Sequence, residues 1–144
     1  MIEHLNVNNI DDLTPLIDFI HDESFELDRV SFNREASTVE IPFIKAIFEE
    51  RQILSGDLIK KVKIPVVNCL LKVFAVDDCE ILDTQEVGSY DMTWIEYDRD
   101  LKCLQITTGV PLDFRIFIRE IEIKLYRDET PIDYKQMRVL GFTS

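Results

Sequence analysis

Apolar residues recur at every second position in two stretches of this chain that can be laid over one another. That pattern constrains the fold more than any other feature. Val30-Ser31-Phe32 and Val39-Glu40-Ile41 alternate apolar with polar residues around the polar run 33–38, and Ile95-Glu96-Tyr97 and Leu104-Gln105-Ile106 do the same around 98–103. A period of two puts the apolar set on one face of a half-buried strand, so each stretch reads as a β-hairpin with a loop of about four or five residues. Asn33 is placed to bond the backbone beyond it in an Asx-turn. With an offset of 65, seven of the twelve aligned positions are identical or alike. Each hairpin is followed by an apolar strand ending in acids, 69–76 before Asp77-Asp78 and 121–126 before Asp128-Glu129. The reading is an internal duplication, with β repeats around 22–78 and 90–128 inside a single domain, 1–144.

One segment breaks the pattern. Ile10, Leu13, Leu16, Ile17 and Ile20 fall at helical spacing and form one apolar stripe. Asn9 or Asp11 can cap its start, and Asp11 and Asp12 suit the positive end of the dipole. Pro15 is tolerated only near the first turn, so the helix is expected to begin near Asp12.

Between the hairpins, the strand from Val39 is expected to run to about Leu54, turn at Ser55-Gly56-Asp57 and return from Leu58 to Ile64. Phe43, Ile44, Ile47 and Phe48 also fit a helical face. Lys60, Lys61 and Lys63 suit a sheet edge, where charge discourages pairing with other chains, and Pro65 resists a central place. Apolar residues sit on even positions in Phe114 to Ile118 and on odd ones in Ile121 to Leu125, so a bulge or a bend falls at Arg119-Glu120. The stretch Asp133 to Leu140 reads as a helical turn stopped by Gly141 or as a closing strand.

Charge narrows the partners. Sixteen basic and 28 acidic residues give a net charge of −12, and the part up to residue 60 is the more acidic, with 5 basic and 13 acidic residues. Such a balance disfavours nucleic acid and membrane surfaces and permits a basic protein partner. Cys69, Cys79 and Cys103 are odd in number and include no C-x-x-C pair, which fits a reducing compartment. Met1-Ile2-Glu3-His4 lacks the character of a signal peptide, and no apolar run approaches the ~20 residues of a membrane span. A cytoplasmic location is expected.

Several residues invite chemistry. His21-Asp22 follows the helix, and an imidazole beside a carboxylate can act as a general base or a ligand; a histidine there also interacts with the helix's negative pole. Asp77-Asp78-Cys79-Glu80 gathers three acids, yet lacks the six or so ligands of a calcium loop. Asn33-Arg34-Glu35 and Asp98-Arg99-Asp100 are explained by turn chemistry. Trp94, with Tyr90 and Tyr97, is of the type that anchors protein interfaces, and alternation sets it on the face opposite Ile95 and Tyr97. No phosphate loop, G-x-S-x-G elbow, H-E-x-x-H or dinucleotide fingerprint is present. No catalytic residue, metal or cofactor is assigned. The binding candidates are His21, Asp22, Asp77, Asp78 and Trp94.

The unit His21-Asp22-x-x-Phe25, Leu27, Val30, Phe32 and Val39-Glu40-Ile41, echoed from Tyr90, resembles the opening of small bacterial β-domain families, some of them immunity proteins of contact-dependent toxin systems. That resemblance implies a non-catalytic cytoplasmic protein that binds a partner. The expected fold is α+β: mainly antiparallel β-sheet, as a curved sheet or a sandwich, with one N-terminal helix. The expected function is a non-enzymatic protein-binding module, acidic and of inhibitor or immunity type. The alternatives are a small-molecule-binding protein or hydrolase with a pocket near His21, or a subunit that forms a homodimer through an exposed edge.

Overall fold

In the computed structural model residues 1–55 and 59–140 are described. The fold is α+β and mainly antiparallel, with one short α-helix and a sheet curled into a half-barrel. Strands β1 (Ile2–Val7), β3 (Ser31–Asn33), β4 (Thr38–Ala46), β5 (Gln52–Ser55), β6 (Ile59–Val73), β11 (Ile123–Arg127) and β12 (Asp133–Leu140) build a seven-stranded sheet. Its order is β1-β11-β6-β4-β3, with β5 and β12 also paired to β6. Strands β2 (Ser24–Glu26), β7 (Val76–Leu82), β8 (Ser89–Asp98), β9 (Cys103–Thr108) and β10 (Asp113–Ile118) form a second sheet in the order β2-β8-β9-β10-β7. One buried cluster draws on both sheets, through Ile41, Leu71 and Leu125 on one side and Ile95, Ile106, Phe114 and Ile116 on the other. Leu16 and Ile20 enter it from the helix.

The helix forms where its stripe requires. A 3-10 turn over Ile10–Asp12 leads into α1 (Leu13–Ile20), and the Asn9 side chain accepts a hydrogen bond from the Asp12 amide. Pro15 is the third residue of α1, before the helix needs its missing donor. Leu13, Leu16, Ile17 and Ile20 are buried, so the stripe faces the core.

Both hairpins form, with the same register. Ser31 faces Glu40 and Phe32 faces Val39; at the offset of 65, Glu96 faces Gln105 and Tyr97 faces Leu104. Asn33 accepts from the Ala36 amide, and Asp98 from the amides of Asp100 and Leu101, so equivalent side chains close the two turns. The following strands occupy different places: β4 pairs with β6, whereas β9 pairs with β10, and β11 lies beside β6 in the other sheet. The parity slip at Arg119-Glu120 is a bend at which the chain leaves one sheet for the other.

The middle of the chain departs from expectation in two ways. The strand from Val39 stops at Ala46, and a 3-10 turn over Phe48–Glu50 separates it from β5. The lysines expected at a sheet edge sit on an interior strand: β6 runs for 15 residues, with β5 and β12 flanking its first half. Pro65 lies within it because its carbonyl, which accepts from the Ile47 amide at 2.8 Å, faces the gap between β4 and β5. Its missing donor faces the same gap, where no ladder bond is lost. Asp133–Leu140 is the closing strand, paired along its length with Ile59 to Val66. The expected turn at Gly56-Asp57 and the stop at Gly141 lie outside the described residues.

Candidate functional site

The outer side of β8 is paired only at its start. Ser24 to Glu26 cover Asp91 to Ser89, and the Asp22 amide then donates to Met92 O at 2.7 Å. The next bond comes from a side chain, His21 Nδ1 lying 3.0 Å from Thr93 O. A carbonyl only accepts, so Nδ1 carries the proton and the imidazole stands where a strand's amide would stand. Beyond Thr93 the β8 edge, Trp94–Asp98, has no strand beside it among the described residues. His21 ends the ladder.

A groove of about 660 Å³ opens along this free edge, between α1 and the second sheet. Ile10, Leu13 and Ile17 line one wall, with Trp94, Glu96 and Asp98 on the other. Trp94 is 50% exposed, and the register slips between Met92 and Trp94, a bulge that re-aims the side chains following it. Cross-strand partners share a face, so Glu96, Gln105, Arg115 and Glu80 form one row across the outer surface, and Asp98, Cys103, Phe117 and Asp78 form the next. Four carboxylates accompany one guanidinium in these rows, and a second guanidinium, that of Arg34, binds Asp78, which leaves three carboxylates against Arg115. The surface is acidic with an aromatic at its rim.

Searches against protein-family models, curated proteins and solved structures return no match. The geometry alone therefore carries the functional reading.

Of the other candidates, His21 and Asp22 are exposed, with Nε2 at 3.5 Å from the Asp22 carboxylate, and neither lines the groove. A second cavity of about 750 Å³, between β2 and the β4–β6 pair, is lined by Phe25, Phe43, Asn68, Cys69 and Asp128 among others and does not reach His21 either. Asp77 and Asp78 lie on β7, bound to arginines: Arg119 at 2.7 Å from Asp77, and Arg34 at 3.2 Å from Asp78. The second of these ties the β3–β4 turn to the opposite sheet. No group of three or more His, Cys, Asp or Glu side chains is placed to hold a metal ion among the described residues. No described helix is long and apolar enough to cross a membrane.

The cysteines are free and are pushed away from reactivity. Burial pushes the Cys69 thiol up to about 12 and Cys79 to about 11, and raises Cys103 as well. Sequence reasoning singled out Trp94 and missed Glu96 and Asp98 as its companions. Their two-residue spacing on an alternating strand was the available signal.

Proposed function

We propose that this chain is a non-enzymatic protein-binding module, acidic and of inhibitor or immunity type, that holds a basic segment of its partner in the groove beside β8. The observation that carries the reading is Trp94, half exposed in an open groove next to Glu96 and Asp98. A buried aromatic anchor ringed by polar groups is the usual energetic centre of a protein interface. Carboxylates there favour lysine and arginine, raise the association rate and discriminate against acidic surfaces. The free edge Trp94–Asp98 adds backbone donors and acceptors that an extended segment can pair with, as in strand addition.

A cytoplasmic protein partner and an origin of the two hairpins by duplication belong to the same proposal, the latter supported by their shared register. Nucleic acid as the groove's ligand is disfavoured by the same carboxylates. The small-molecule or hydrolase reading centred on His21 has less support, because His21 lines neither cavity and its Nδ1 proton is committed to Thr93 O.

The test is affinity capture from cell extract on the immobilised chain, repeated at high salt and with Trp94→Ala and Glu96→Lys/Asp98→Lys. A specific basic protein that is retained at low salt, weakened at high salt and lost with both variants supports the reading. Capture that is indifferent to Trp94 and to the two acids defeats it.

A further inference from the structure

The acidic net charge conceals a basic arm. The first half of β6, with β5 and β12, forms a three-stranded extension whose buried Val62 and Ile64 lie outside the main core cluster. These strands carry Lys60, Lys61, Lys63, Lys135 and Arg138, and Asp133 is their one carboxylate. None of the five cations is ion-paired among the described residues. Of the 11 basic residues elsewhere, Arg34, Lys45, Lys72, Arg119, Lys124 and Arg127 are ion-paired among the described residues and the other five are not, so what sets the arm apart is five cations gathered with a single carboxylate. Lys61 and Arg138 face each other directly across the ladder, an arrangement that costs free energy unless an anion lies between them. A shallow cleft of about 170 Å³ between Lys61, Gln136, Met137 and Arg138 leaves room for a carboxylate. Cross-strand pairing puts Lys61, Lys63 and Arg138 with exposed Tyr134 on one face of the arm, and Lys60 and Lys135 with exposed Ile53 and Met137 on the other.

Lys63 lies over the Tyr134 ring, 3.9 Å from its centroid, and such cations without carboxylate partners, beside exposed apolar side chains, match a surface that is acidic and apolar together. The groove beside β8 is such a surface, with Glu96 and Asp98 outnumbering Arg115 in its lining, next to Trp94, Ile10 and exposed Leu101. We infer that the arm of one copy docks in the β8 groove of another, so that the chain associates head to tail. This inference rests on the groove reading above and names one occupant for it. A phosphate backbone fits less well, because exposed isoleucine and methionine gain nothing from it and the remaining 11 basic and 27 acidic residues repel it.

Size sets the strength. An eight-residue, three-stranded face measures roughly 26 by 14 Å, well below the ~800 Å² each partner contributes to a standard interface. The association should therefore be weak, with a dissociation constant above about 1 µM, and sensitive to salt. Because the two surfaces differ, the contact does not close on itself as a two-fold dimer would, and growth past the dimer is expected.

Sedimentation velocity over a concentration series, at about 20 mM and about 500 mM salt, tests this. The full chain is expected to shift to larger species with concentration at low salt and to sediment as a monomer at high salt. Lys61→Glu/Arg138→Glu and Glu96→Lys/Asp98→Lys should each sediment as monomers alone, and their equimolar mixture should associate again. Lys61→Gln/Arg138→Gln, a milder change, should weaken association alone and still associate when mixed with Glu96→Lys/Asp98→Lys, because an intact arm then meets an intact groove, but that mixture should stop at a dimer. A full chain that stays monomeric at low salt overturns the inference, as does a reversed pair that fails to rescue, or a single-stranded oligonucleotide bound by the arm of a monomeric chain. If the chain is monomeric but still captures a foreign basic protein through Trp94, only this inference falls and the groove reading stands.

Discussion

The guanidinium of Arg127 grips both carboxylate oxygens of Glu50, with Nη1 at 2.6 Å from Oε2 and Nη2 at 3.2 Å from Oε1, although 77 residues separate them in sequence. Arg127 is buried at the end of β11, and Glu50 closes the 3-10 turn between β4 and β5. The pair fastens the irregular connection to the sheet interior. Removing Glu50 leaves a buried cation, partly relieved by the bond from Arg127 Nε to Asp128 O. Glu50→Ala is therefore expected to cost about 1–2 kcal/mol, and Arg127→Met, which removes the cation itself, less than that. Urea denaturation of the two variants measures the asymmetry, and equal costs would show that the pair acts otherwise.

The same pair makes part of the stability depend on pH. The hydrogen bond from Arg127, more than its charge, holds the Glu50 carboxyl below its ordinary value of 4.5. A group depressed in the folded state contributes stability that is present above its unfolded-state value and lost as pH falls through its folded-state value. Glu50→Gln cannot titrate. Between about pH 5 and pH 3 the wild-type denaturation midpoint should fall further than that of Glu50→Gln, and parallel curves would rule out this linkage.

Core and groove should separate cleanly in stability. Phe114 is fully buried, its ring centroid 6.0 Å from that of Phe25, and Phe114→Ala is expected to cost about 3–5 kcal/mol. Trp94→Ala removes a half-exposed side chain and should stay within about 0.5 kcal/mol of wild type. A large destabilisation by Trp94→Ala would assign the residue to the fold and not to binding.

The thiols give a second readout of the fold. With Cys79 at about 11 and Cys69 at about 12, the thiolate fraction at pH 8 falls at least about 100-fold below that of a thiol at 9.0. Alkylation at pH 8 should be slow on the folded chain and should reach all three cysteines in denaturant. Rapid labelling of Cys69 without denaturant would contradict its burial.

What was legible in the sequence was local. The helix could be read because Asn9, Pro15 and the stripe ending at Ile20 agree, and the hairpins because alternation and turn residues agree. Pro65 misled because a proline's cost depends on which neighbour its nitrogen faces, and that neighbour, the break after Ala46, is set by tertiary pairing. The lysines at 60, 61 and 63 misled for a related reason: β12, which flanks them, comes some 70 residues later in the chain. Alternation placed Trp94 opposite Ile95, yet its exposure depends on the end of the β2 ladder at His21 and on where α1 packs. The summed charge of −12 hid the arm because summing discards position.

One strand, Ile59–Val73, belongs to both the core and the basic extension, and it has no glycine along its length. The extension thus has no swivel. It is carried like a handle forged in one piece with the blade, its direction relative to the groove fixed by the twist of a single backbone. Successive copies joined arm to groove would inherit the same rotation at each step, and a load applied at the tip would pass along β6 directly into Leu71 and Val73.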